Sequence, residues 1–184
     1  MPNLALMKLS AKHRAQGDQV SFIQPRKDMW LISKVDLAYV SCIFPRYAAR
    51  AHVVYELLIK MGVHVEAGGY GLGDMKLPWD VEHLMPDYEL YGIDYSMGFT
   101  TRGCIRSCSF CAIPKVEGPL HEHSPIEEFL YTKHRKVLLL DNNFLASSRW
   151  QEKLEQLRGY KVSICQGLDA RLIDRSCAKF LASY

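Results

Sequence analysis

Cys104, Cys108 and Cys111 stand in the run Thr-Thr-Arg-Gly-Cys-Ile-Arg-Ser-Cys-Ser-Phe-Cys, a C-x3-C-x2-C triplet. Three thiolates this close can grip one polynuclear metal site. Cubane iron–sulfur clusters are held by cysteine thiolates, usually four. Three ligands leave one iron open, and an open metal position is where a small molecule binds and reacts. The same residues admit other chemistry. Structural zinc wants four ligands, commonly in C-x2-C pairs. Cys42, Cys165 and Cys177 are scattered singly, so no second pair exists, but His121 or His123 would supply a fourth ligand. A ferredoxin-like carrier wants a fourth nearby cysteine, which this loop lacks, and buried structural cysteines are a further reading.

The elements that must position the triplet alternate between strand and helix. A strand over 95–100 leads into the cysteines. Residues 125–131 read as a helix with Ser124 as N-cap and Glu127 completing a capping box. Lys136 to Leu140 form a buried strand ending in Asp141-Asn142-Asn143, and residues 147–158 a helix capped by Ser147 or Ser148. Lys161 to Cys165 form a third strand, ending in Gln166-Gly167-Leu168-Asp169-Ala170-Arg171, and a last helix begins near Asp174.

Before the triplet, residues 3–16 read as an amphipathic helix with Leu4, Leu6, Met7, Leu9 and Ala15 on its apolar stripe. Residues 19–23 read as a short strand and 36–43 as a strand buried on both faces. A helix over 46–61 ends at Gly62, and the next strand starts at 63–66, before the Gly68-Gly69 and Gly71-x-Gly73 loop. Residues 74–95 form a connector with a short helix near 79–84. Parallel α/β layers follow from this alternation, in two pieces divided near residue 90: 1–90 and 91–184.

Composition narrows the class. The chain has 184 residues, 48% hydrophobic and 23% charged, enough to bury a real core. A net charge of +3 makes no case for nucleic acid. No apolar run is long enough to span a bilayer, and the first residues do not form a signal peptide. Six cysteines in such a chain read as reduced thiols and metal ligands, which points to the cytoplasm.

The triplet and its surroundings resemble the radical S-adenosylmethionine (radical SAM) superfamily. The resemblance rests on the cysteine run, on Phe110 before the third cysteine and on the Cys-x-Ile-Pro phrase ending at Pro114. It also rests on the segments Pro2 to Ser10, Gly68-Gly69 and Leu84 to Tyr88. It implies a [4Fe–4S] cluster on Cys104, Cys108 and Cys111, with SAM on the open iron. SAM would be cleaved reductively to a 5′-deoxyadenosyl radical that abstracts hydrogen from a substrate the sequence does not identify. A reducing partner such as flavodoxin or ferredoxin is implied. The backbone at Phe110 would lie against the adenine of SAM. Asp141 and Asn142 would meet its amino group. Gln166 and Arg171 would lie at the third strand end, Arg171 pairing with a ligand carboxylate or with Asp169 or Asp174.

The implied architecture is an incomplete flavodoxin-like domain of the cobalamin-binding type, followed by the first half of a radical SAM (β/α)6 barrel. Three strand–helix units are read where that barrel has six, and the first domain lacks its opening strand. The expectation is a chain truncated at both ends, or one completed by a partner. The cobalamin signature Asp-x-His-x-x-Gly is absent, and His13 does not fit it, so cobalamin is not expected.

Overall fold

Parallel strands joined through helices recur in both halves of the chain. The computed structural model describes residues 2–24, 28, 32, 34–73 and 75–184. The chain divides into two compact units, Met1–Gly92 and Ile93–Tyr184. It is a mixed α/β structure built on small parallel and antiparallel sheets.

In the first unit, helix α1 (Leu4–Ala15) is capped by the Asn3 side chain, which accepts from Leu6 N–H, and Gly17 follows its end with φ +89°. The buried face is not the purely apolar stripe expected. Leu4 and Met7 are buried beside Lys8 and Ser10. Lys8 donates to the backbone carbonyl of Glu82 and pairs with its carboxylate, and Ser10 donates to Asp87. Buried polar groups are tolerated when partnered in this way.

Strand β1 (Leu37–Ser41), helix α2 (Ala48–Lys60) and strand β2 (His64–Gly68) follow, and β1 and β2 pair in parallel. The core here is Ile32, Leu58 and Val63, with Val40, Val54 and Val65 packed against it. Expected to be buried on both faces, β1 is half-buried throughout, because its sheet has only two strands among the described residues. The strand expected at 19–23 does not form. Beyond it, Asp28 accepts from Gln24 N–H and donates its own N–H to the Gln24 carbonyl. Phe22 instead stacks on Tyr91 with ring centroids 4.5 Å apart. Helix α3 (Trp79–Glu82) lies in the connector, whose expected first residue, 74, is outside the described residues.

The second unit contains β3 (Ser96–Gly98), β4 (Thr101–Arg102), α4 (Ile113–Val116), β5 (His121–Glu122), β6 (Lys136–Leu139), α5 (Trp150–Gln156), β7 (Lys161–Ile164) and α6 (Arg175–Ser183). Strands β3, β6 and β7 form a parallel sheet in that order, and β4 pairs antiparallel with β5. The register sets Val137 against Val162 and Leu139 against Ile164. Period-two alternation sends these four side chains to one face, where they join Phe144, Leu154, Leu157 and Cys177 in the core. Val137 and Leu139 are fully buried, each contributing about 1.5–3 kcal/mol, while Val162 and Ile164 are half-buried against them. Asp174 caps α6 by accepting from Cys177 N–H at 2.8 Å.

Two expected helices are shorter than their patterns. The 125–131 segment holds only one 3-10 turn, Ile126–Glu128. Pro125 occupies the cap position, the Ser124 hydroxyl is buried without a hydrogen-bond partner, and the Ser96 hydroxyl takes Tyr131 N–H at 2.9 Å. That last bond diverts an amide a longer helix would use. The 147–158 helix is confined to α5, preceded by a 3-10 turn at Phe144–Ala146. Ser147 stands at this junction, accepting from Arg149 N–H and from the Lys153 ammonium and donating to Glu122.

Candidate metal centre

The loop that carries the three cysteines leaves the C-terminal end of β3 by way of Phe99 and Thr100. In parallel α/β sheets that end is where ligand sites form, built from the loops that follow the strands. The loops after β6 and β7 supply the remaining polar groups.

The base of the site is Asp141. It is 0% exposed and collects four hydrogen bonds. Thr100 donates its N–H at 3.2 Å and its hydroxyl at 2.6 Å, and Thr101 its N–H at 2.7 Å and its hydroxyl at 2.6 Å. The carboxylate expected to face a ligand ammonium is therefore committed to fixing the path from β3 into β4. Its neighbour Asn142 is half-buried and donates to Glu117 at 2.6 Å.

The neck of the loop is drawn tight. Cys104 N–H donates to the Gly118 carbonyl at 3.3 Å. Gly103 has φ +74°, and a Cβ there would stand 2.2 Å from the Pro119 carbonyl oxygen, so only glycine fits. Arg102 is not aimed at the cysteines. Its guanidinium lies 3.7 Å from the Phe99 ring centroid and pairs with Glu117 at 3.1 Å.

All three cysteines are free and half-buried. The Cys104 sulfur accepts from Arg106 N–H at 3.4 Å and from Asn143 Nδ2 at 3.6 Å. Cys111 N–H donates to the Cys108 carbonyl at 3.0 Å, closing a turn between the second and third thiols. Asp169, from the loop after β7, ties the group together. It accepts from Arg106 Nε at 3.1 Å, Asn143 Nδ2 at 3.3 Å and Arg171 Nε at 2.7 Å. Arg171 first, then Arg106 and Asn143, hold its carboxyl far below the ordinary carboxylate range. Asp169 raises the Arg171 pKa in turn, and the Cys108 thiol adds to the rise. The ion pair with Asp169 foreseen for Arg171 is thus present.

Two other expected residues stand apart. Phe110 is 91% exposed, its ring in solvent. Gln166 is exposed in the turn after β7. Among the described residues no three His, Cys, Asp or Glu side chains are gathered to hold a single metal ion. His121 Nδ1 lies 3.0 Å from the Pro119 carbonyl, and the His123 ring sits edge-on to Phe99. A cubane differs from a single ion in that its thiolates sit on separate irons, around a volume rather than a point.

Asn143 and Asp169, read from the sequence only as residues at strand ends, and Glu117, not read at all, have further roles here. Asn143 sits beside Cys104, and its Oδ1 is buried without a hydrogen-bond partner. Such an atom is rare in a folded chain and calls for an explanation. Asp169 is the hub of the basic groups. Glu117 clamps the neck; its one sequence signal is that it is the first acid after sixteen residues, 101–116, whose only charged side chains are Arg102, Arg106 and Lys115. No family model matches the chain, and no curated protein matches it. No helix among the described residues is long and apolar enough to cross a membrane.

Proposed function

We propose that this chain is a radical SAM protein. In this reading its second unit is the opening part of a partial barrel and its first unit a flavodoxin-like piece that holds no cobalamin. One observation carries the reading. A C-x3-C-x2-C triplet of free, half-buried thiols leaves the C-terminal end of a parallel sheet beside an amide oxygen that is buried and unpartnered.

The donor set fits a [4Fe–4S] cluster bound by Cys104, Cys108 and Cys111 with SAM as its exchangeable ligand. When bound, these groups supply one-electron reductive cleavage of the SAM sulfonium. The chain's own residues do the positioning. Asn143 Oδ1 would accept from the SAM ammonium, the role the resemblance implies for Asp141 and Asn142. Asn143 Nδ2 and Arg106 N–H donate to the Cys104 sulfur, and hydrogen bonds to cluster thiolates adjust the reduction potential. Arg171 adds positive charge at Cys108 while Asp169 holds it in place. Reduced thiols fit a reducing compartment, the cytoplasm, and the electron would come from a low-potential carrier of the flavodoxin or ferredoxin class.

The test is electron paramagnetic resonance on protein reconstituted anaerobically with iron and sulfide and reduced with dithionite. A reduced-cluster signal that changes on adding SAM, and that disappears when any one of the three cysteines is replaced by alanine, is the expected result. A signal indifferent to SAM would replace this reading with an electron-transfer module. Tightly held zinc and no cluster would overturn it, and loss of that zinc on His121→Ala or His123→Ala would name the fourth ligand.

A further inference from the structure

One carboxylate holds the neck of the cysteine loop. Glu117 Oε2 accepts from the Gly103 backbone N–H at 3.0 Å and from Asn142 Nδ2 at 2.6 Å, and Oε1 accepts from Arg102 Nη1 at 3.1 Å. Gly103 immediately precedes Cys104, Arg102 ends β4, and Asn142 follows β6. One side chain therefore joins the beginning of the loop, its end and the neighbouring strand end. Its oxygens already hold three donors, which suits a clamp and not a metal ligand. The side chain is 17% exposed, so water screens these bonds only partly. The backbone bond from Cys104 to Gly118 lies at the same neck. The Phe99 ring fixes the Arg102 guanidinium from its other side.

We propose that Glu117 is the positioning residue of the cysteine loop: it fixes where Cys104 stands before any metal arrives, and so sets how firmly the triplet holds what it binds. A loop ordered in advance spares the metal the entropy cost of ordering it. The placement of Cys104 is independent of what the thiols bind. Only the effect on iron retention rests on the radical SAM reading.

The full-length apo protein tests this through its own cysteines. The rate at which each thiol is alkylated is followed by mass spectrometry in wild type, Glu117→Ala and Glu117→Gln. Cys165 is exposed and reports intrinsic reactivity, while Cys42 and Cys177 are buried and report any general unfolding. Glu117→Ala removes all three bonds and is expected to speed labelling of Cys104 about tenfold, the factor for the one charge-assisted bond that holds Gly103 N–H beside it, with Cys42 and Cys177 still protected. Glu117→Gln, which keeps one acceptor oxygen, is expected to fall between alanine and wild type. After anaerobic reconstitution, the alanine variant is expected to lose iron to a chelator faster than wild type by a similar factor. Unchanged Cys104 labelling in both variants overturns the proposal. If alanine also exposes Cys42 and Cys177, the chain has unfolded, and the glutamine variant decides by the same criterion. If wild type takes up no iron, the radical SAM reading fails, while Cys104 labelling still decides the role of Glu117.

Discussion

Four donors converge on Asp141, two of them backbone amides that cannot turn elsewhere. Asp141→Ala leaves those amides buried without an acceptor, at about 1–3 kcal/mol each. For a unit of this size a loss of about 3 kcal/mol lowers the melting temperature by on the order of 10–20 °C. Asp141→Asn keeps an oxygen where three of the four bonds meet and is expected to cost less. Calorimetry on the two variants checks both the size and the order, and an alanine variant as stable as wild type would show that the carboxylate is not the anchor described here. At this scale the sequence is readable where function depends on local spacing. The three thiols are such a case, since ligand type and separation along the chain suffice to find them. Glu117 and Asn143 depend on partners that only folding brings near. Glu117 meets Asn142 across 25 positions, and Asn143 meets Asp169 across 26. Neither separation leaves a local signature, and Asp141, Asn142 and Asn143 cannot be ranked until one sees which oxygens are already taken.

Strands β6 and β7 were legible because Lys-Val-Leu-Leu-Leu and Lys-Val-Ser-Ile are short apolar runs with turn residues beyond them. The segment over 125–131 was not, because a serine distant in sequence decides its fate. Local pattern favours a capped helix, but the Ser96 hydroxyl on β3 claims Tyr131 N–H, and the side chains of Ile126 and Phe129 are pulled into the core. The segment at 19–23 fails for a related reason: a strand needs a neighbour, and no described strand pairs with it. The same packing leaves no room for a side chain at Gly98 within β3. A Cβ there would stand 2.3 Å from Cγ of Phe129, whose ring covers the strand. Gly98→Ala is expected to cost about 1–3 kcal/mol through overpacking. Combining it with Phe129→Leu should cost less than the sum of the two single changes, because the smaller side chain vacates the space the new methyl needs. Strict additivity in a denaturation double-mutant cycle would show that the two side chains do not compete.

For the whole molecule, the sequence marks a divide near residue 90 by the shift from alternating elements to an irregular connector and back. The number of strands each sheet contains leaves no such mark, since it depends on which segments find partners. Protons bear on the second unit through three shifted groups. In the second unit, Arg171, with Arg106 and Asn143, holds Asp169 below its ordinary value. Burial pushes Glu122 up, but hydrogen bonds from Lys153 and Ser147 outweigh it and leave that carboxyl lowered. Burial lowers His134 against the opposing pull of Asp94. All three shifts have the same sign for stability. As pH falls, the unfolded chain takes up protons that the folded chain refuses, at about 6.5 for histidine and about 4 for the carboxyls. Stability is therefore present above those values and is lost as pH drops through them, beginning with His134 and continuing with Glu122 and Asp169. The exposed pairs Arg149–Glu152 and Arg158–Glu155 add little, because solvent screens them. In the first unit burial raises Tyr39 and Tyr91, and neither titrates in this range. Acid should accordingly loosen Ile93–Tyr184 around His134, Glu122 and Asp169. Hydrogen exchange read peptide by peptide from pH 7 down to about 4, corrected for intrinsic rates, is expected to show protection lost first around Asp169, Glu122 and the β3–β6–β7 sheet. Protection unchanged there down to about pH 4 would mean that these three groups do not govern the acid stability of the second unit.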